Sequence, residues 1–77
     1  MKLLNKETGE ELIAEFELAQ VGQSAGLPEL VIRGRGAVLP VYFAERYEIL
    51  EAREEELSKM RIGGYPIKNE GRIKKVR

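Results

Sequence analysis

The chain contains no cysteine, histidine, aspartate or tryptophan among its 77 residues. Without cysteine it has no disulfide bond and no thiolate ligand for zinc. Without histidine it lacks the commonest metal ligand and the usual general base near neutral pH. Its serine and threonine hydroxyls therefore have no partner for a nucleophile–base pair. We predict that the protein is not an enzyme and that it uses no metal or cofactor.

The sequence also lacks long apolar runs. No stretch of about 20 apolar residues is present, so no membrane-spanning helix is predicted. The first residues become acidic at Glu7 and contain no secretory hydrophobic region. These features predict a cytoplasmic protein with no membrane partner.

The short length limits the core that the chain can form. We predict a single domain over residues 1–77, in which residues 72–77 form a frayed basic tail. A domain of this size buries only about 60% of the surface of its unfolded chain. Small domains usually gain stability from disulfides, metals or oligomerisation. Because the first two are not expected, we predict a homo-oligomer, with a monomer built on a well-packed core as the alternative.

The formal net charge is zero, but the charge is unevenly distributed. Residues 1–30 contain two basic and six acidic residues, whereas residues 61–77 contain six basic residues and one acidic residue. Such a distribution can steer an anionic partner to the basic end. It can equally favour head-to-tail self-association.

The first 21 residues fit either a hairpin or a helix. Thr8 followed by Glu11 is a capping-box pattern that would begin a helix. However, Leu12, Ala14 and Phe16 alternate with their neighbours, as in a half-buried strand, after a glycine-containing turn at residues 6–9. We favour the hairpin, because on a helix these apolar residues would not share one face.

A second hairpin is predicted around the segment VIRGRGAVLP, residues 31–40. Gly34 and Arg35 fit the central positions of a two-residue type II′ turn, which requires glycine first. This register places Ile32 opposite Ala37 and Val31 opposite Val38. Residues 22–29, rich in glycine and proline, are predicted to form the loop before this hairpin.

One amphipathic helix is predicted near residues 43–62, with Gly63 and Gly64 as its C-terminal stop. The alternative for its first part is that residues 41–50 continue as a strand. The remaining residues suggest a further hairpin or a hairpin-like tail, with a loop at residues 69–71. The predicted fold class is therefore α+β, a small domain of β-hairpins with about four to six short antiparallel strands and one helix.

The clearest candidate ligand site is the segment Arg33-Gly34-Arg35-Gly36. Glycines let consecutive N–H groups approach an anion, and arginines can bind a phosphate or carboxylate through two hydrogen bonds. The segment is neither a P-loop nor a dinucleotide fingerprint, because the lysine and the third glycine of those motifs are missing. The alternative is a turn whose arginines are solvated.

Further arginines lie at the edge of the predicted helix. Arg46 and Arg53 are seven residues apart and would lie beside its apolar stripe, as arginines often do at protein interfaces. The alternative is that their apolar stems cover the edge of the core. If the helix forms an interface, we expect its apolar part to be Tyr47, Leu50 and Met60.

The C-terminal end is a third candidate site, because clustered cations can neutralise phosphates. No pattern for reading bases accompanies these cations, so we rank nucleic acid below the other partners. The basic residues of this end are Lys68, Arg72, Lys74, Lys75 and Arg77.

The sequence leads to three functional hypotheses. The first is a non-catalytic, homo-oligomeric binding protein whose arginines recognise an anionic ligand, a nucleotide or an acidic protein surface, at a subunit interface. The second is a protein-interaction module that inhibits or adapts a larger protein through its helix face or strand edges. The third is nucleic-acid binding through the basic C-terminal end.

Overall fold

The computed structural model describes residues 1–77, except for the side chain of Ser24. The six strands form one sheet, in which only the last pair of strands is parallel. The predicted α+β class is therefore confirmed. In chain order the elements are β1 (Lys2–Asn5), β2 (Glu11–Leu18), β3 (Pro28–Ile32), β4 (Gly36–Ala37), α1 (Pro40–Arg46), β5 (Tyr47–Ala52), α2 (Glu54–Ile62) and β6 (Lys74–Lys75), and the strand order is β4-β3-β2-β1-β5-β6.

The N-terminal hairpin prediction is correct. β1 and β2 are antiparallel, with Leu3 opposite Leu12. The turn between them is closed by Asn5, whose side-chain oxygen accepts a hydrogen bond from the Glu7 N–H at 2.9 Å. Leu12 and Ala14 are buried while their neighbours are exposed, as the alternating pattern requires.

The β3–β4 hairpin forms, but its predicted register is wrong by one residue. Val31 lies opposite Ala37 and Ile32 opposite Gly36. The turn therefore contains three residues, and the N–H of Arg35 donates to the carbonyl of Ile32 at 2.9 Å. A type II′ turn needs positive φ only at its first central residue, whereas here Gly34 and Gly36 have φ of 81° and 84°.

The single helix predicted at residues 43–62 is also wrong. The segment divides into the end of α1, strand β5 and helix α2. β5 pairs with the free edge of β1, placing Leu3 opposite Ile49. This pairing provides partners for the main-chain groups of β1, so the long-range contact overrides the helical propensity of the local sequence.

A β-bulge explains why this strand resembles a helix in the sequence. The β1–β5 register shifts between Lys2 and Leu3. Ile49 and Ala52 are consequently both buried, although they are three residues apart. A regular strand would place residues at this spacing on opposite faces, whereas a helix would place them on the same face.

Helix α2 ends where the two glycines predicted its end. The N–H of Tyr65 donates to the carbonyl of Met60 at 2.8 Å, and that of Gly64 donates to Arg61 at 3.2 Å. This is the Schellman arrangement, which requires a left-handed residue, and Gly64 has φ of 81°. Within the described residues, neither α1 nor α2 has the length and apolar character to cross a membrane.

The predicted C-terminal hairpin is wrong. A 3-10 turn at Glu70–Arg72 leads into β6, which runs parallel to β5. Ile73 is buried in the core, so the basic segment 72–77, predicted as a frayed tail, is held to the domain by an apolar contact.

The core lies between the sheet and the two helices. Tyr65 contributes a hydrogen-bonded bridge to it: its hydroxyl donates to the carbonyl of Val38 at 2.5 Å and accepts from the N–H of Leu30 at 3.1 Å. The hydroxyl thus takes the place of a direct hydrogen bond from the Leu30 N–H to the Val38 carbonyl, just after β4. The core residues are Leu3, Leu12, Ala14, Leu30, Ile32, Phe43, Ile49, Ala52, Leu57, Met60, Tyr65 and Ile73.

Candidate functional site

The candidate site is an unpaired edge of strand β2. This strand has eight residues, whereas its neighbour β1 has four. β1 pairs with β2 only as far as Ile13, and β3 covers the opposite edge from Ala14 to Leu18. The second half of β2 therefore has a strand on one side only.

Hydrogen bonds on the two edges identify the unpaired main-chain groups. Arg33 donates to the carbonyl of Ile13, and Ala19 donates to that of Leu27, so odd-numbered residues of β2 face β3. Ala14 exchanges hydrogen bonds with Met1 at 2.8 and 2.9 Å on the other edge. Phe16 and Leu18 also face that edge, where the described residues provide their N–H and C=O groups with no strand partner.

The unpaired edge borders a groove of about 430 Å³. Met1, Ile13, Glu15 and Phe16 form its sheet wall. A smaller cavity of about 130 Å³ continues along the edge past Phe16 and Leu18 to Pro28.

The other wall of the groove includes Arg53, Glu56 and Lys59, at the start of α2 and within it. Glu56 is fixed by two hydrogen bonds of 2.9 Å, one from the Arg53 N–H and one from the Met1 ammonium. Burial raises the pKa of this carboxyl, but the two donors outweigh it and hold the pKa below its ordinary value. The carboxylate therefore stays ionised and anchors the start of α2 to the sheet.

The outer face of β2 is acidic beside this edge. Glu15 pairs with Arg33 at 2.8 Å, and both side chains are exposed. Glu17 lies directly opposite Glu29 of β3. Two carboxylates at opposite positions of neighbouring strands repel each other. Among the described residues, Glu17 has no cation within ion-pair distance.

The predicted anion site around the glycine turn is occupied by the protein's own carboxylates. Arg33 pairs with Glu15, and Arg35 pairs with Glu10 at 2.7 Å. Gly34 and Gly36 belong to the three-residue turn and its flanking strand. An external anion would therefore compete with two ion pairs already formed.

The other two arginines do not share a helix face as predicted. Arg46 is the last residue of α1, and its guanidinium lies 5.1 Å from the ring centre of Tyr42. Arg53 lies between β5 and α2 and pairs with Glu55 at 3.6 Å. The structure separates them because β5 interrupts the predicted helix.

The predicted apolar interface is also not assembled on one surface. Met60 is fully buried in the core, which removes it from any interface. Tyr47 and Leu50 are half-buried residues of β5. The physical cause is again that β5 interrupts the predicted helix, since a strand and a helix present these residues in different directions.

Most of the basic C-terminal end pairs with the protein's own acidic residues. Lys75 lies 3.3 Å from Glu54, Lys74 lies 3.7 Å from Glu51, and Arg72 lies 3.7 Å from Glu48. The hydrogen bond from Lys75 and the contact with Arg61 lower the pKa of Glu54. Lys68 and Arg77 form no ion pair with the described residues.

The sequence predicts an interaction through strand edges but does not indicate which residues form such an edge. The available signal was the length of the alternating pattern after Leu12, which exceeds that of the short segment before the turn. The described side chains include no cluster of three or more metal-ligating residues. Searches against protein-family models, curated proteins and solved structures found no match.

Proposed function

We propose that the protein is an interaction module that binds an extended peptide by strand addition to β2. The observation that supports this is the set of four main-chain groups of Phe16 and Leu18, which face the groove without a strand partner. An added strand would hydrogen-bond to all four groups. This develops the second of the three functional hypotheses.

The position of β1 defines where the peptide lies and how it runs. The peptide lies beside the second half of β2, in line with β1 and beyond Met1. Like β1, it runs antiparallel to β2. Its side chains alternate between the two faces of the sheet. Apolar residues opposite Phe16 and Leu18 contact the groove, and residues opposite Glu15 and Glu17 remain on the outer face.

The charge on β2 favours a peptide with basic residues at the outer positions. A lysine or arginine opposite Glu17 offsets the repulsion between Glu17 and Glu29. A second copy of β2 is disfavoured, because the antiparallel register that pairs both open residues, Phe16 opposite Leu18, places Glu17 opposite Glu17 of the other copy. The occupant is therefore a basic, alternating peptide segment of another protein.

The test uses two synthetic peptides, one that alternates lysine with valine and one that alternates glutamate with valine. We expect the lysine peptide to bind more tightly and to slow hydrogen exchange of the Phe16 and Leu18 amides. If neither amide gains protection at a saturating peptide concentration, strand addition to β2 is wrong.

Two substitutions at Leu18 provide a matched pair. Leu18→Pro removes the N–H that faces the groove but leaves the β2–β3 ladder intact, since that ladder uses Glu17 and Ala19. Leu18→Ala shortens the same exposed side chain and keeps the N–H. We expect Leu18→Pro to weaken binding roughly tenfold relative to Leu18→Ala. Equal affinities of the two variants would contradict the proposal.

A further inference from the structure

A second, smaller cleft lies on another part of the molecule. Its volume is about 40 Å³, and it is enclosed by the β1–β2 turn, the junction of α1 with β5, and the segment after α2. Three cationic side chains line it: Lys6, Lys68 and Arg72. Glu48 is the one carboxylate of its lining, so the local formal charge is positive in a chain of zero net charge.

The cations of this cleft retain free hydrogen-bond donors. The Lys6 ammonium donates to the carbonyl of Ala44 at 3.3 Å, which leaves two of its three hydrogens for another acceptor. Arg72 is 3.7 Å from Glu48, which is beyond hydrogen-bond distance. Lys68 has no ion-pair partner among the described residues. Arg72 is therefore ion-paired but not hydrogen-bonded, unlike Arg33 and Arg35, whose guanidinium groups donate to carboxylates at 2.8 and 2.7 Å.

The inner wall of the cleft is partly apolar. Phe43 is 2% exposed, and its ring stacks on that of Tyr47 with 6.1 Å between the ring centres. The side-chain amide of Asn69 donates to the carbonyl of Ile49 at 2.8 Å, which fixes that side chain beside the cations.

We propose that this cleft binds a phosphate group. Its volume of about 40 Å³ admits only a small group, so a phosphate would lie at its mouth and a larger ligand must extend outside. Two ammonium groups and one guanidinium in the lining of one cleft supply the charged N–H donors that phosphate oxygens accept. The site is separate from the β2 groove and does not depend on peptide binding there.

Two probes distinguish the sources of that phosphate: inorganic phosphate and glycerol phosphate, a small phosphomonoester. Each is titrated at constant ionic strength while backbone and side-chain amide shifts are followed by NMR, with chloride as the control anion. We expect saturable shifts at Asn69, Lys68 and Arg72 with at least one phosphate probe. Tighter binding of glycerol phosphate would identify a monoester as the ligand, and tighter binding of the inorganic ion would identify free phosphate. Shifts that are equal in chloride, or that lie elsewhere, would overturn the proposal.

Charge variants give a second readout. Lys68→Gln and Arg72→Gln should each weaken phosphate binding roughly tenfold, and Arg77→Gln, outside the cleft, should leave it unchanged. Glu48→Gln should tighten binding severalfold, because it removes the opposing carboxylate and releases Arg72. A purely structural role of these residues predicts no gain from Glu48→Gln. Unchanged affinity in the Lys68, Arg72 and Glu48 variants would refute the site.

Discussion

Replacement of Tyr65 by phenylalanine tests the hydroxyl bridge between β3 and the chain after β4. The substitution preserves the ring, including its edge-on contact with Phe43 at 5.9 Å between ring centres. It removes one donor and one acceptor, so the Leu30 N–H and the Val38 carbonyl lose their partner. The change therefore isolates the two hydrogen bonds from the packing of the side chain.

The expected cost follows from the burial of the two groups. A buried polar group left without a partner costs about 1–3 kcal/mol. Leu30 is fully buried, and Val38 is half-buried, so water reaches the second group more easily. We expect Tyr65→Phe to lower the free energy of unfolding by roughly 2–4 kcal/mol.

Urea denaturation measures this loss, with the m-value as a check that the unfolding transition is otherwise unchanged. Tyr47→Phe is the matched control, because the Tyr47 hydroxyl forms no hydrogen bond within the described structure. We expect the control to remain close to the parent protein. A loss below about 0.5 kcal/mol for Tyr65→Phe would show that the bridge does not stabilise the fold.

The bridge also predicts a dependence on alkaline pH. Burial raises the pKa of Tyr65 above its ordinary value of 10.0, and the charge of Glu29 adds to this shift. Since the folded pKa is higher than the unfolded one, the contribution to stability is complete below pH 10 and is lost as the pH rises through the folded pKa. Tyr65→Phe should lack this alkaline loss, as followed by unfolding curves at increasing pH.

Three further predictions follow. Gly63→Ala should destabilise the fold by roughly 1–3 kcal/mol, because its Cβ would lie 2.7 Å from the carbonyl oxygen of Pro28, whereas Gly71→Ala has open space and should be neutral in thermal unfolding. The lowered pKa of Glu56 contributes stability that is present above its ordinary pKa of 4.5 and lost as the pH falls through the folded value. The stability difference between the parent and Glu56→Gln should therefore shrink in acid, and an unchanged difference would contradict the role of Glu56. The predicted homo-oligomer stays a prediction: we expect native mass spectrometry to show more than one subunit, and a monomer at all concentrations would contradict it.

The parts of the fold that depend on local pattern could be predicted from the sequence. The alternation of Leu12, Ala14 and Phe16 predicted a half-buried strand, and Gly63 and Gly64 predicted the end of a helix. In both cases a few neighbouring residues determine the conformation. The hairpin at residues 31–40 was predicted for the same reason, although the second glycine allowed a longer turn than expected.

The parts that depend on distant partners could not be predicted. β5 is a strand because it pairs with the second edge of β1. The bulge beside Leu3 interrupts the two-residue alternation by which a strand is recognised in a sequence. The candidate site has the same limitation. Whether Phe16 and Leu18 are unpaired depends on how far β1 extends along β2. The residues of β2 itself do not determine that length.

The position of β5 has a consequence for folding kinetics. β1 through β4 are joined by hairpins, so they can pair soon after local turns form. β5 must join β1 across more than 40 residues of chain, which places a large loop-closure entropy before the contact is gained. The first four strands should therefore pair with one another before β5 pairs with β1. During that interval the outer edge of β1 is open to strands from other molecules, so the concentration during refolding should decide between the native fold and aggregates.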